Sequence, residues 1–110
     1  MSGVGPDVRV VLVTAPDLDT AASLARALVE ERLVACANVV PGVRSIYRWE
    51  GQVQDDAEVL LVAKTGAARC DALAARVRDL HPYDLPEVVV LPVCGGSRDY
   101  LEWVIAESSE

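Results

Sequence analysis

VACANVVPGVRSIYRWEGQVQDDAEVLLVAKT, residues 34–65, is the stretch that decides the fold. β-Branched and aromatic residues fill both of its halves, the composition that suits a pleated, partly buried surface. Glu50-Gly51-Gln52 separates the halves by a tight connection, so Val34 to Trp49 and Val53 to Thr65 read as the two strands of one long antiparallel hairpin. Inside the first strand, Pro41 lacks an N–H for the ladder and Gly42 lacks a Cβ, which predicts a bend or bulge there.

Working outward, Val8 to Val13 is an apolar run broken only by Arg9, and it reads as a buried strand. Pro16 and Asp17 end it, and Asp17 can cap a helix in which Leu18, Ala21, Ala22, Ala25, Leu28 and Val29 recur at helical spacing. Beyond the hairpin the period changes at Gly66, and Cys70, Leu73, Ala74, Val77 and Leu80 mark a second amphipathic helix. Pro82 and Pro86 bracket a rigid turn, because a helix continues through neither ring. Val88 to Val93 forms a fourth strand, and Gly95-Gly96 breaks it. Ser97 is placed to cap a last helix carrying Tyr100, Leu101, Val104 and Ile105. Strand, helix, strand, strand, helix, strand is the split β-α-β order of an α+β, ferredoxin-like domain, βαββαβ, here with an extra C-terminal helix. Residues 1–7 read as a flexible N-terminus and 8–110 as one domain.

Right-handed crossovers place both main helices on one face of the sheet. The strands ought then to alternate apolar and polar residues. They do not: Val8, Val10 and Leu12 oppose Val11 and Val13, and Val59 and Leu61 oppose Leu60 and Val62. Both faces ask to be dry, and one terminal helix is too little cover for the second. Leaving it wet costs several kcal/mol at about 25 cal/mol per Å². A neighbouring subunit is the economical cover.

The chain has 110 residues, 52% hydrophobic and 25% charged, so its bulk can bury a core. Seventeen acids against ten bases leave a net charge of -7. Nucleic-acid and anionic-membrane partners need the opposite balance and are excluded. Tyr47 and Trp49 with Arg44 and Arg48 could imitate a nucleic-acid platform, but the acidic total argues for aromatic anchors at a subunit contact. The first residues lack the basic and apolar regions of a signal peptide. Cys36, Cys70 and Cys94 are an odd count without CxxC spacing, which fits reduced thiols in a cytoplasm. No nucleophile–base pair or phosphate-binding glycine loop stands out, so a non-enzymatic role is expected.

Ala35-Cys36-Ala37-Asn38-Val39-Val40-Pro41-Gly42-Val43-Arg44-Ser45-Ile46-Tyr47-Arg48-Trp49-Glu50-Gly51 resembles the CutA family of divalent-cation tolerance proteins. Val11-Leu12-Val13-Thr14-Ala15-Pro16, Glu58-Val59-Leu60-Leu61, Lys64-Thr65, His81-Pro82-Tyr83, Pro86-Glu87, Asp99-Tyr100-Leu101 and Trp103 extend the resemblance over nearly the whole chain. It implies a ferredoxin-like protomer in a tight homotrimer held through the long hairpin. It also implies a response to divalent cations, copper(II) among them. Some members carry a cysteine just before Thr-Ala-Pro and a doubled histidine before Pro-Tyr; Val13 and Leu80 stand at those places, so only His81 remains of that set.

His81, the only histidine, is the first candidate ligand, since imidazole suits copper, zinc and nickel. The alternative is a side chain that satisfies carbonyls at a helix end. Asp84 and Glu87 of the same turn can complete a site with it, and Cys36 is a weaker candidate, as a thiolate or as a small buried hydrophobe. Asp55, Asp56 and Glu58 either gather cations across a trimer or form a solvated acidic face. Divalent cations and further copies of the chain are the expected partners. A small-molecule or partner-sensing trimer like the PII signalling proteins is the competing class.

Overall fold

Leu28, Leu61, Leu73, Val11, Val13 and Val77 lose nearly all their surface to solvent, and the elements are arranged around them. The computed structural model describes residues 5–110. Its elements are β1 (Val8–Ala15), α1 (Leu18–Glu30), β2 (Cys36–Trp49), β3 (Gln52–Gly66), a 3-10 turn (Ala67–Arg69), α2 (Cys70–Leu80), β4 (Val89–Pro92) and α3 (Arg98–Glu107). The sheet order is β2-β3-β1-β4 with every neighbouring pair antiparallel, as a ferredoxin-like split β-α-β domain requires. Residues 1–4 of the expected flexible N-terminus lie outside the described residues. Asp7 is tied, accepting the Ala67 N–H at 2.9 Å and pairing with Arg9. Among the described residues no helix is long and apolar enough to cross a membrane.

The hairpin follows its sequence signals. Glu50 and Gly51 both take positive φ, 50° and 80°, the backbone that lets a two-residue turn match the strands' twist. The register slips between Val40 and Val43, so Pro41-Gly42 is a bulge, and Gly42 holds φ 83°. Asp17 caps α1 by accepting the Thr20 N–H at 2.8 Å. Its buried stripe is Ala21, Leu24, Ala25 and Leu28. Leu18, Ala22 and Val29, expected on that stripe, are exposed, because one helical face at i, i+3, i+4, i+7 has no room for them. Ser97 occupies the N-cap of α3 without a side-chain capping bond, and β4 is shorter than expected, with Val88 turned into the core.

α1 and α2 share the face carrying Val11, Val13, Ala15, Val59, Leu61 and Ala63. A smaller cluster, Val8, Ala35 and Val104 with Leu101 and Ile105, sits under α3. The register places Val10, Leu12, Leu60, Val62, Val40, Val89 and Leu91 together on the second face. α3 covers only the Val8 end of it. Val40, Val89 and Leu91 remain 40–43% exposed, so in one chain the second face is half dry.

Candidate functional site

Beyond the bulge, Glu58 is the first β3 residue to regain pairing, opposite Val43. From there strand alternation puts Glu58 and Asp56 of β3 on the same side as Ser45, Tyr47 and Trp49 of β2. The segment after α2 meets that side. Pro82 stops the helix, and the turn carries Tyr83, Asp84, Leu85 and Glu87 toward the hairpin. Between them lies an open cleft of about 810 Å³, also walled by Thr14.

Hydrogen bonds fix its walls. The Tyr83 hydroxyl donates to Glu58 Oε2 at 2.8 Å, and the Tyr47 hydroxyl donates to Asp56 Oδ2 at 2.5 Å. Burial first, and the bond to Glu58 second, push the Tyr83 phenol well above its ordinary range, so it stays a neutral donor at physiological pH. The Tyr47 phenol is raised too, chiefly by its bond to Asp56. Loss of hydration, followed by the Glu58 charge, raises the Glu87 carboxyl. Outside the cleft on the same arm, Arg44 Nε and Nη2 donate to Asp55 at 2.8 and 2.7 Å, and the pair holds the Asp55 carboxyl below its usual range.

His81 stands beneath the cleft as the C-cap residue of α2, 8% exposed. Its Nε2 lies 2.7 Å from the Thr14 carbonyl oxygen, and its Nδ1 accepts the Tyr83 N–H at 3.1 Å. One nitrogen must donate and the other accept, which assigns the neutral Nε2–H tautomer and leaves no lone pair for a cation. The pairing of β1 with β4 ends at Leu12↔Val89, two residues before Thr14, so the imidazole supplies a donor beyond the reach of β4, while β3 still pairs with Thr14 through Leu60. The histidine satisfies a carbonyl of β1, not the helix-terminal ones that the alternative reading proposed.

Asp84 and Glu87 line the cleft with Tyr47 and Trp49. Cys36 lies elsewhere, its sulfur 3.7 Å from the Tyr100 hydroxyl of α3. That contact is the first cause holding the Tyr100 phenol above its usual range. Cys70 is half-buried, and burial pushes its thiol up. Among the described residues no three His, Cys, Asp or Glu side chains converge to hold a metal ion. Hard oxygen donors suit magnesium or calcium better than copper. One chain therefore offers an incomplete donor set. Sequence reasoning missed Glu58 and Tyr83 as partners. The available signal was an acid in phase with Leu60 and Val62, at the point where the polar half of β3 gives way to its apolar half.

The chain matches the model of the CutA1 divalent ion tolerance protein family over residues 9–107. It is 53% identical to the divalent-cation tolerance protein CutA of Thermus thermophilus, over 87% of this chain and 93% of that one. It is 48% identical to the chloroplastic protein CutA of Arabidopsis thaliana over 86% of this chain, and spans 52%, about half, of that protein's length. The structure of the PII-like protein CutA from Nostoc sp. PCC 7120 in apo form superposes with a TM-score of 0.86 at 40% identity, covering 92% of this chain and 97% of that one.

Proposed function

The chain belongs to the CutA1 divalent ion tolerance family, and on that premise we propose that it serves in the cytoplasm as a homotrimer in the response to divalent metal ions, copper(II) included. The observation that carries the assembly is the second sheet face. An apolar surface running from Leu91 to Val40 across four strands is left two-fifths open at its edges. Neighbouring copies are the cover that this chain itself specifies, and Tyr47 and Trp49, each more than two-fifths exposed on the hairpin arm, are the anchors.

The same assembly answers the incomplete donor set. Asp84 and Glu87 are exposed oxygen donors at the cleft mouth, and ligands brought by a second chain would complete a weak site. His81 enters as the residue that holds their turn, through Thr14 and Tyr83. The role is binding and not catalysis: the one imidazole near the cleft has both nitrogens engaged.

Sedimentation of the metal-stripped chain is expected to give three chain masses. Calorimetry with copper(II) is expected to show saturable binding that Asp84→Asn with Glu87→Gln removes. A monomer would sink the assembly. Copper affinity unchanged in the double variant would move the site away from the turn. The PII-like alternative gains from the volume of the cleft and loses from its lining. Arg48 is its single cation against Asp56, Glu58, Asp84 and Glu87, the wrong balance for a nucleotide phosphate.

A further inference from the structure

His81 is the only histidine of the chain, and histidine is the side chain that changes charge nearest neutrality. It is buried within a single chain, between β1 and the turn after α2, and none of the groups that hold it lies on the hairpin arm. Its burial therefore asks for no neighbouring copy. The metal reading gives the ring only a holding role, and the two bonds it makes are not equivalent toward a proton.

Pro82 has no N–H and keeps His81 extended, at φ -82° and ψ 140°, so Tyr83 carries the first amide that the turn can offer. That amide goes to His81 Nδ1 at 3.1 Å, while Nε2–H goes to the Thr14 carbonyl oxygen at 2.7 Å. An imidazolium donates from both nitrogens. The bond to Thr14 survives protonation, because Nε2 is already the donor. The bond from Tyr83 does not: Nδ1–H then faces the Tyr83 N–H, two donors with no acceptor between them.

The charged and titratable groups around the ring come from each neighbouring element. β1 presents the Thr14 carbonyl and no charge, and Asp17, just beyond it, is engaged as the cap of α1. The turn brings Tyr83, its ring centroid 4.7 Å from the imidazole, followed by Asp84 and Glu87. β3 brings Glu58, held by the Tyr83 hydroxyl at 2.8 Å, and α2 ends in Arg78 and Asp79. Among the described residues none of these acids is bonded to the imidazole, so the effect of a proton falls on the Tyr83 amide. We propose that His81 is a pH-operated clasp: its neutral ring closes the turn of residues 82–87 on β1, and a proton on Nδ1 opens that end of the turn. The Tyr83 hydroxyl stays on Glu58, so the turn swings about that bond while helix and sheet keep their places. The clasp does not depend on the metal reading; where that reading holds, the same motion displaces Asp84 and Glu87.

The test is an NMR titration of the full, metal-stripped chain from pH 7.5 to 5 with chelator present. The single histidine gives one Cε1–H signal, which reports its protonation without ambiguity. Amide exchange, corrected for the intrinsic effect of pH, reports the turn. Protection of the Tyr83 N–H is expected to fall at least tenfold over this range, at the midpoint of the ring signal, while the amides of β1 and α2 keep theirs. His81→Gln offers an amide N–H to Thr14 and a carbonyl oxygen to Tyr83 but takes no proton, and is expected to hold Tyr83 protected throughout. Should that variant not fold, the shared midpoint in the wild type decides alone. Tyr83 protection that survives protonation of the ring overturns the proposal, as does a ring that stays neutral to pH 5. So does an equal loss in a folded His81→Gln chain, or a loss that comes only together with the amides of β1 and α2. Copper(II) binding, measured separately without chelator at pH 7.5, reports on the metal reading alone, so either can fail while the other stands.

Discussion

Replacing His81 by alanine separates a side chain that holds the fold from one that holds a metal. The substitution removes two hydrogen bonds, to the Thr14 carbonyl at 2.7 Å and from the Tyr83 N–H at 3.1 Å. Each contributes about 0.5–1.5 kcal/mol net, and a buried carbonyl left without a donor costs about 1–3 kcal/mol. His81 is only 8% exposed, so losing its ring also leaves space that the end of β1 must partly collapse to fill. Since these contributions overlap, the expected loss is about 2–4 kcal/mol. With a urea slope of about 2 kcal/mol per molar, the midpoint falls by about 1–2 M. The assay is equilibrium denaturation at fixed chain concentration, in chelator and again with copper(II). A structural role predicts the full loss in chelator. A loss below about 1 kcal/mol there, growing only when metal is added, would refute the reasoning and return the imidazole to the ligand set.

Other substitutions probe the remaining parts. Glu50 holds φ 50°, where asparagine is more at ease, so Glu50→Asn is expected to raise stability by about 0.5–1 kcal/mol in the same assay; a decrease would contradict the turn assigned there. Arg32, also at positive φ, sends Nε to the Ser109 carbonyl at 2.6 Å and Nη2 to the Ala106 carbonyl at 2.8 Å. Arg32→Ala should cost about 1–2 kcal/mol and speed amide exchange in α3 before the rest of the chain; uniform exchange would speak against it. Leu91→Asp puts a charge on the open sheet face and is expected to reduce the sedimenting mass from three chains to one, whereas an intact trimer would place the interface elsewhere. Glu87 has a folded-state carboxyl raised above 4.5, so the native state binds more protons than the unfolded one just above that pH. Stability therefore falls as pH rises through that window, and Glu87→Gln should flatten this part of the pH profile; an unchanged slope would assign it to other groups.

The fold was legible because its signals were local and redundant. Glu50-Gly51 forced a turn, Pro41-Gly42 forced a bulge, and Asp17 announced a helix whose carboxylate then took the Thr20 N–H. Apolar residues in both phases of β1 and β3 announced a second buried face, and the open strip from Leu91 to Val40 corresponds to it. Helix stripes were blurred where small residues were concerned: Ala22 and Ala25 look alike in sequence, and only packing put Ala25 inside. The site was less legible because its defining contacts join distant segments. Nothing near His81 in the chain says that its ring reaches Thr14, and nothing near Glu58 says that Tyr83 will cover it. Asp55, Asp56 and Glu58 are near neighbours in sequence and look equivalent there. Strand alternation sends Asp55 to Arg44 on one side of the hairpin and Asp56 and Glu58 to Tyr47 and Tyr83 in the open cleft on the other.

The long hairpin and the short fourth strand imply an order of assembly along the folding pathway. β2 and β3 face each other across a two-residue turn, so their ladder can zip from Trp49↔Gln52 outward with little loop entropy to overcome at each step. β4 is the opposite case: four residues long, it must find Val10 with Leu91 across nearly the whole chain. Contacts of that separation form late and slowly, and here they depend on a β1 already set against β3. Until they form, the β4 flank of β1 and the apolar strip beside it are bare together. The period of greatest exposure to aggregation therefore falls just before the last strand docks, and substitutions in β4 are expected to act on refolding yield well beyond their effect on the finished fold.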